Sequence, residues 1–211
     1  PYSVEQTADK GYIIAGCTYS FGAGGADIYL IKTDSMGDLL WTKTYGSSGE
    51  DVMKFDGDHL VQQTSDGGYI VTGQTSLNVY LIKTDFTRDT LWTKMYDGRF
   101  WDRGRSEMQT TDGGYIVAGW SDSLGTGDYN VYLVETDALG KKLKETTYTG
   151  TSWNKNSSIR QTKDGGYIIS GWTNSFGVGT RSYLVKLRPE TPPPARPGST
   201  PSNPEPASKQ R

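Results

Sequence analysis

The chain has 211 residues and a formal net charge of −2, from 22 Lys and Arg against 24 Asp and Glu. That balance argues against a nucleic-acid surface built on bulk positive charge. One cysteine (Cys17) and one histidine (His59) exclude an internal disulfide, a Cys/His zinc centre and a four-cysteine iron–sulfur site, and no apolar run approaches the ~18–20 residues of a membrane-spanning helix.

Eight of the nine prolines fall between Pro189 and Arg211, where Ala195 and Ala207 are the only other apolar side chains. That stretch cannot bury a core, so residues 189–211 are predicted to be a disordered Pro/Ser/Thr-rich tail or linker and residues 1–188 the folded part. Within 1–188 the sequence repeats itself four times. Gln6-Thr-Ala-Asp-Lys-Gly-Tyr-Ile-Ile-Ala-Gly16 returns at Gln63–Gly73, Gln109–Gly119 and Gln161–Gly171, with the tyrosines at 12, 69, 115 and 167. A second echo, Ile28-Tyr-Leu-Ile-Lys-Thr-Asp34, returns at Val79–Asp85, Val131–Asp137 and Ser182–Leu187. A third, Leu40-Trp-Thr-Lys-Thr-Tyr45, returns at Leu91–Tyr96 and, changed, at Leu143–Tyr148.

Each echo reads as a strand. Tyr, Ile, Val, Thr and Trp crowd into short runs bounded by Gly and Asp, without a 3.6-residue stripe. The Asp-Gly-Gly between Gln-Thr and Tyr-Ile is a hairpin turn whose glycines accept positive φ, and Asp34-Ser-Met-Gly37 marks a second turn. A repeat is therefore strand A (Val4–Thr7), B (Tyr12–Thr18), C (Ile28–Thr33) and D (Leu40–Tyr45), with both faces of B apolar or small. Four antiparallel strands per repeat of about 50 residues, covered on both faces, predict an all-β propeller of four blades. The blades run over about 1–56, 57–104, 105–156 and 157–188, the fourth lacking its strand D. That shortfall leaves two expectations open: an incomplete fourth blade, or a piece of a larger ring. The start at Pro1, with neither Met nor a leader, points to processing or a trimmed chain.

The pattern Gln-Thr-x-Asp-Gly-Gly-Tyr-Ile-Val-x-Gly, Tyr-Leu-Ile-Lys-Thr-Asp-x-x-Gly and Trp-Thr-Lys-x-Tyr over residues 4–187 resembles a repeat of secreted and cell-surface β-propeller proteins of archaea and bacteria. Tyr29–Trp41 is similar to PQQ-type and kelch-like blades, in which a tryptophan docks neighbouring blades, and Thr64–Gly68 looks like the Asp-box hairpin of sialidase-type propellers. The resemblance implies a propeller displayed outside the cell and transfers no activity.

The A–B turns are nearly identical in all four copies, which turn chemistry explains. The B–C and D–A loops differ in length and content and share the opposite face, where binding is expected. Two D–A loops carry candidate ligand residues: Phe100, Trp101, Arg103 and Arg105 in one, Trp153 and Asn154 in the other. Trp and Arg are enriched at binding hot spots, and flat aromatics beside amides suit sugar rings; packing between blades is the competing role for each tryptophan. Trp120 and Trp172 end their B strands, where they either pack against the next blade or floor a pocket. Cys17, at the same position in the first copy, is expected to be buried. His59 beside Asp58 is read as a solvated loop residue, so no catalytic residue is assigned.

No cofactor is expected, with calcium the one ion considered, at Asp27 and Asp128 beside Gly-rich loops. The reading preferred on these grounds is a non-catalytic extracellular module that binds a polysaccharide or a cell-surface protein, with no nucleic-acid partner and no membrane insertion. Alternatives are a glycoside hydrolase or lyase drawing on Asp27, Asp51, Asp102, Asp122 or Asp128, and a structural scaffold.

Overall fold

The computed structural model describes residues 1–23, 25–46, 51–52, 60–75, 78–96, 102–122, 129–148, 152, 154–175 and 179–189. All regular structure is antiparallel β. Blade one is β1 (Ser3–Gln6), β2 (Tyr12–Thr18), β3 (Asp27–Thr33) and β4 (Leu39–Tyr45), paired in that order. In blade two the first strand is split into β5 (Asp51–Val52) and β6 (Val61–Gln63), both paired to β7 (Tyr69–Thr75), which continues to β8 (Asn78–Thr84) and β9 (Thr90–Tyr96). Blade three is β10 (Asp102–Gln109), β11 (Tyr115–Ser121), β12 (Asn130–Thr136) and β13 (Lys142–Tyr148). Blade four, among the described residues, has three strands: β14 (Asn154–Gln161), β15 (Tyr167–Thr173) and β16 (Arg181–Leu187). The architecture is that of β-propeller blades stacked in chain order. First strands of successive blades touch one another, β1 with β6, β6 with β10 and β10 with β14. Fourth strands carry exposed Leu39, Leu40, Leu91 and Leu143.

Three buried clusters fill the joints. Ile13, Ile28 and Leu30 of blade one meet Val61, Val71 and Ile82 of blade two. Ile70, Val79 and Leu81 meet Tyr115, Val117 and Val134 of blade three, and Ile116, Val131 and Leu133 meet Ile159 and Ile169 of blade four. Each interior blade thus buries both faces, which is why its central strands read as nearly continuous apolar runs. At the periphery Trp41 and Trp92 stand edge-on to Tyr69 and Tyr115 of the next blade, at 5.8 and 5.6 Å between ring centroids. The outer-strand tyrosines complete this seam: Tyr45 donates to the Arg88 carbonyl (2.9 Å) and Tyr96 to the Gly140 carbonyl (2.8 Å), both in the C–D turn of the following blade.

Two devices close the A–B turn. Its first glycine supplies left-handed backbone, with φ of 82°, 87° and 82° at Gly67, Gly113 and Gly165; Lys10 adopts 68° in blade one. Its second glycine lies under a strand-C carbonyl: a Cβ on Gly68 or Gly114 would sit 2.1 or 2.2 Å from the oxygen of Thr84 or Thr136. The turn aspartate is tied to strand C as well. Lys83, buried, reaches Asp66 at 2.8 Å, and Lys32 reaches Asp9 at 2.9 Å. The Thr7 hydroxyl and Lys32 hold the Asp9 carboxyl down to about 2.

The repeated glutamine of the turn motif works between blades rather than within one. Gln63 Oε1 accepts the Ala8 N–H (2.8 Å), Gln109 Oε1 the Ser65 N–H (2.8 Å) and Gln161 Oε1 the Thr111 N–H (3.0 Å). A second rung runs the other way along the same joints. The Gln63 N–H reaches the Glu5 carboxylate, the Gln109 N–H reaches Gln62 Oε1 (2.7 Å) and the Gln161 N–H reaches Met108 Sδ (3.1 Å). One N–H of the inner edge strand in each of blades two, three and four is thereby capped by the preceding blade. Turn chemistry alone therefore does not account for the near-identity of the A–B segments.

Gln109→Ala is expected to lower stability by about 1 kcal/mol, one hydrogen bond, without changing the far-ultraviolet spectrum. Gly113→Ala should cost about 1–2 kcal/mol through its positive φ, and Gly114→Ala more than that, because backbone must move. Urea unfolding of the three variants ranks them; a Gly114 variant as stable as the parent contradicts the close approach.

Candidate functional site

The loop-side ends of blades three and four bring together much of the aromatic and cationic chemistry expected there. Arg103 pairs across the ladder with Trp120, and its guanidinium lies 4.8 Å from the ring centroid. Tyr129 meets the same indole edge-on at 4.3 Å, and Lys155 of blade four sits 5.0 Å from Trp120 and 4.7 Å from the Tyr129 ring. Enclosed in this way, Trp120 is only 4% exposed, so it packs the joint and does not floor an open pocket.

The fourth blade repeats part of this arrangement. Trp172 pairs with Lys155 across β14 and β15, and Arg105 lies 5.5 Å from its ring. Arg105 reaches it because it is the extra residue of a bulge between Gly104 and Ser106, buried rather than solvated. The residue that precedes strand C is Tyr129 in blade three and Thr180 in blade four. With threonine in that place, and no described strand over this face as β14 lies over that of Trp120, a cavity of about 230 Å³ lies beside the indole, lined by Lys155, Trp172, Thr173, Asn174 and Thr180. Trp172 is 47% exposed.

Asn154 is buried and fully engaged. Its Nδ2 donates to the Ser152 carbonyl (2.7 Å), while its Oδ1 accepts from the hydroxyls of Thr173 (2.6 Å) and Ser175 (3.2 Å). It fixes the loop that carries Asn174 and is not itself presented to a ligand. Phe100, Trp101, Trp153, His59 and Asp128 lie outside the described residues. Asp27 is buried, with Oδ2 accepting the Ala23 N–H (2.8 Å) and the backbones of Gly22 and Gly46 pressed against its carboxylate. Among the described residues no three His, Cys, Asp or Glu side chains converge as a metal site, and no helix is long and apolar enough to cross a membrane. Cys17 is half-buried rather than buried, 3.4 Å from the Tyr2 hydroxyl, and that hydrogen bond leads the causes that push the phenol up to about 12.

One charged cluster has no counterpart in the expectations from sequence. Glu107, on the inner strand of blade three, is 2% exposed, and neither carboxylate oxygen has a hydrogen-bond partner on another described residue. It occupies the register position of Val61 and Ile159, which face the preceding blade. Burial first, then the negative charge of Glu5, drives its carboxyl well above the usual range, with Arg160 opposing. Glu5 is raised to about 7 by burial, against the pull of Arg160 and the Gln63 N–H. The signal available in the sequence was a carboxylate in a column that is otherwise Val4, Val61 and Ile159.

No family model matches the chain, and no curated protein matches it. Among solved structures it is similar to one titled "Structure of Dos1 propeller", at 14% identity and a TM-score of 0.49, covering 90% of this chain and 48% of that one. It is also similar to the tail fibre of Staphylococcus aureus phage P68, at 8% identity and a TM-score of 0.33, covering 88% of this chain and 49% of that one. The chain spans about half the length of these two structures.

Between the ordinary carboxylate value of 4.5 and about 7, the unfolded chain has released the Glu5 proton that the folded chain keeps, and Glu107 extends that interval upward. Stability therefore falls as pH rises through this window. Glu107→Gln is expected to gain about 1–3 kcal/mol at pH ~8 and little at pH ~4, flattening the pH dependence of urea unfolding. An equal gain at both pH values would show that ionisation of Glu107 is not the cause.

Proposed function

We propose that this propeller is a recognition module displayed outside the cell, which holds one sugar residue of a polysaccharide against Trp172. The observation that carries the reading is the half-exposed indole in a cleft whose other walls are Lys, Thr and Asn side chains. A flat apolar surface suits the C–H face of a pyranose, and the exposed Asn174 and Thr180 beside it offer an amide and a hydroxyl to ring hydroxyls. At about 230 Å³ the cleft is below the ~300 Å³ at which cofactor-sized pockets begin, in keeping with a single ring of a longer chain. Lys155 adds a cation at one wall, so glycans carrying carboxylates belong in the ligand panel beside neutral ones. The Pro-rich segment from 189 onward serves in this reading as a tether.

A hydrolytic reading has one observation in its favour, the Glu5 and Glu107 carboxylates with raised pKa values. Glu107 is buried in the joint between blades, out of reach of a polymeric substrate, and the binding reading is preferred for that reason.

The test is a fluorescence titration of neutral and acidic polysaccharides, with calcium and with chelator, followed by chromatography for products. Thr180→Tyr rebuilds in blade four the contact that Tyr129 makes in blade three. It is expected to close the cleft and weaken binding at least about tenfold without loss of stability, and Trp172→Ala should do the same. Saturable binding that survives both variants would remove the cleft from the proposal; appearance of shortened oligosaccharides would replace recognition with hydrolysis.

A further inference from the structure

In three blades a strand-C lysine closes the A–B turn on its aspartate. Lys32 Nζ lies 2.9 Å from Asp9 and 2.7 Å from the Thr33 carbonyl. Lys83 Nζ lies 2.8 Å from Asp66 and 2.6 Å from the Thr84 carbonyl. Lys186 Nζ lies 2.7 Å from Asp164 and 2.6 Å from the Thr162 hydroxyl. Each ammonium, with three donors and no acceptor, fills a cage of oxygens drawn from the turn and from strand C.

Blade three keeps the cage and lacks the ammonium. Asp112 holds its turn as the other aspartates do, accepting from the Thr110 hydroxyl and from the Gly114 N–H (3.3 Å). The Thr136 carbonyl presses on Gly114 as the Thr84 carbonyl presses on Gly68. Beyond that carbonyl, the group nearest a Cβ on Gly68 is Lys83 Nζ (2.8 Å); on Gly114 it is Thr110 Oγ1 (3.2 Å). The place of Lys83 is taken by Glu135, which stands between Ile116 and Lys144 in the ladders where Lys83 stands between Ile70 and Trp92. Lysine to glutamate reverses the charge at the cage, and among the described residues Asp112 has no cationic partner. Glu135 and Asp112 lie toward the same joint, since both act on the Tyr167 phenol of blade four, which burial first and then these two charges push up to about 12.

We infer that blade three binds a calcium ion in the place that a lysine ammonium takes in the other three blades. Asp112, Glu135 and the Thr136 carbonyl are its protein ligands, and water completes the shell. What points to a bound cation, rather than to two neighbouring acids, is that the corresponding oxygens of blades one, two and four each hold a positive charge. Mixed carboxylate and carbonyl donors from a turn and a strand suit the irregular shell of calcium better than the strict octahedron of magnesium. The donor set has two acidic side chains, so it is not one of the clusters of three that the described residues lack. Lys144, opposite Glu135 in the ladder, competes for that carboxylate, and the expected Kd is about 10⁻⁴–10⁻³ M, the range of extracellular calcium modules. The ion ties the turn of blade three to its strand C beside the joint with blade four, as lysine does elsewhere. It shares no residue with the Trp172 cleft and is independent of the glycan reading.

Calorimetric titration of calcium into the full chain, stripped with chelator and free of glycan, tests this, with thermal melts in parallel. Calcium binding is expected, with a melting temperature raised by about 3–5 °C at ten times the Kd. Glu135→Lys rebuilds the lysine–aspartate pair of the other blades. In chelator it should melt above the parent, and calcium should no longer move it. Asp112→Asn keeps an acceptor for the turn but should weaken calcium binding at least about tenfold. Neither heat nor a melting shift in the parent overturns the inference. So does a calcium affinity unchanged in both Glu135→Lys and Asp112→Asn, which would place the ion elsewhere.

Discussion

A four-stranded blade of this composition has two apolar faces and no means of covering either, and everything else in the molecule follows from how one blade covers the next. The cover is apolar in the middle, where Ile and Leu of one sheet meet Val and Ile of another, and polar at both rims. At the inner rim the glutamine and the strand-A side chain before it cross the joint in opposite directions; at the outer rim a tyrosine hydroxyl meets a turn carbonyl. Dispersion and burial supply most of the attraction, while the polar rims fix the angle and register at which one sheet lies on the next. This also explains why a carboxylate can persist at position 107. It sits inside a joint whose remaining contacts are numerous enough to carry the cost of one unpaired group.

Much of this was legible in the chain itself, though not always for the right reason. Strand positions fell out of the runs of Tyr, Ile and Val because period-two patterning and turn chemistry are local properties, and the observed strands lie within one residue of those expected in blade one. The near-identity of Gln-Thr-x-Asp-Gly-Gly was read as turn chemistry, and the turn does need both glycines. Its glutamine answers to a blade some 50 residues away, which no local rule reveals. The strand-C lysine is similar: Lys32 and Lys83 are part of the A–B turn despite belonging to another echo of the repeat. Of the candidate ligand residues, Arg103, Arg105, Trp120 and Trp172 do gather at one place, but burial sorts them, and burial is a property of three dimensions. Glu107 stands two residues before the repeated glutamine, as Val4, Val61 and Ile159 do, so the odd carboxylate was legible in the sequence; that this column faces the preceding blade emerges only from the sheet register.

Trp120 and Trp172 show how little separates packing from presentation in a repeat. They hold the same position in their strands, each with a cation over the ring. In blade three an aromatic neighbour and the strand of the following blade seal the indole; in blade four a threonine takes the aromatic's place and no described strand lies over the face that carries the ring. The same position of the repeat thus packs a joint in one blade and faces a cleft in the other, according to what surrounds it.

The first strand of blades two, three and four departs from its ladder at one level. In blade three the departure is a single residue, Arg105; in blade four it falls between Asn156 and Ser158; in blade two the described pairing on either side of it is that of Val52 and that of Leu60 and Val61. Above that level the strands end in the variable loops, and below it they end in the near-identical turns. The bulge therefore works as an expansion joint between a crown and a base: length added there is absorbed without moving the register on either side. Insertions or a grafted loop at this level would reach the inner end of the crown while leaving the base unaware of them, which makes the inner strand, less buried than the two strands that follow it, the most permissive point of a blade for acquiring new segments.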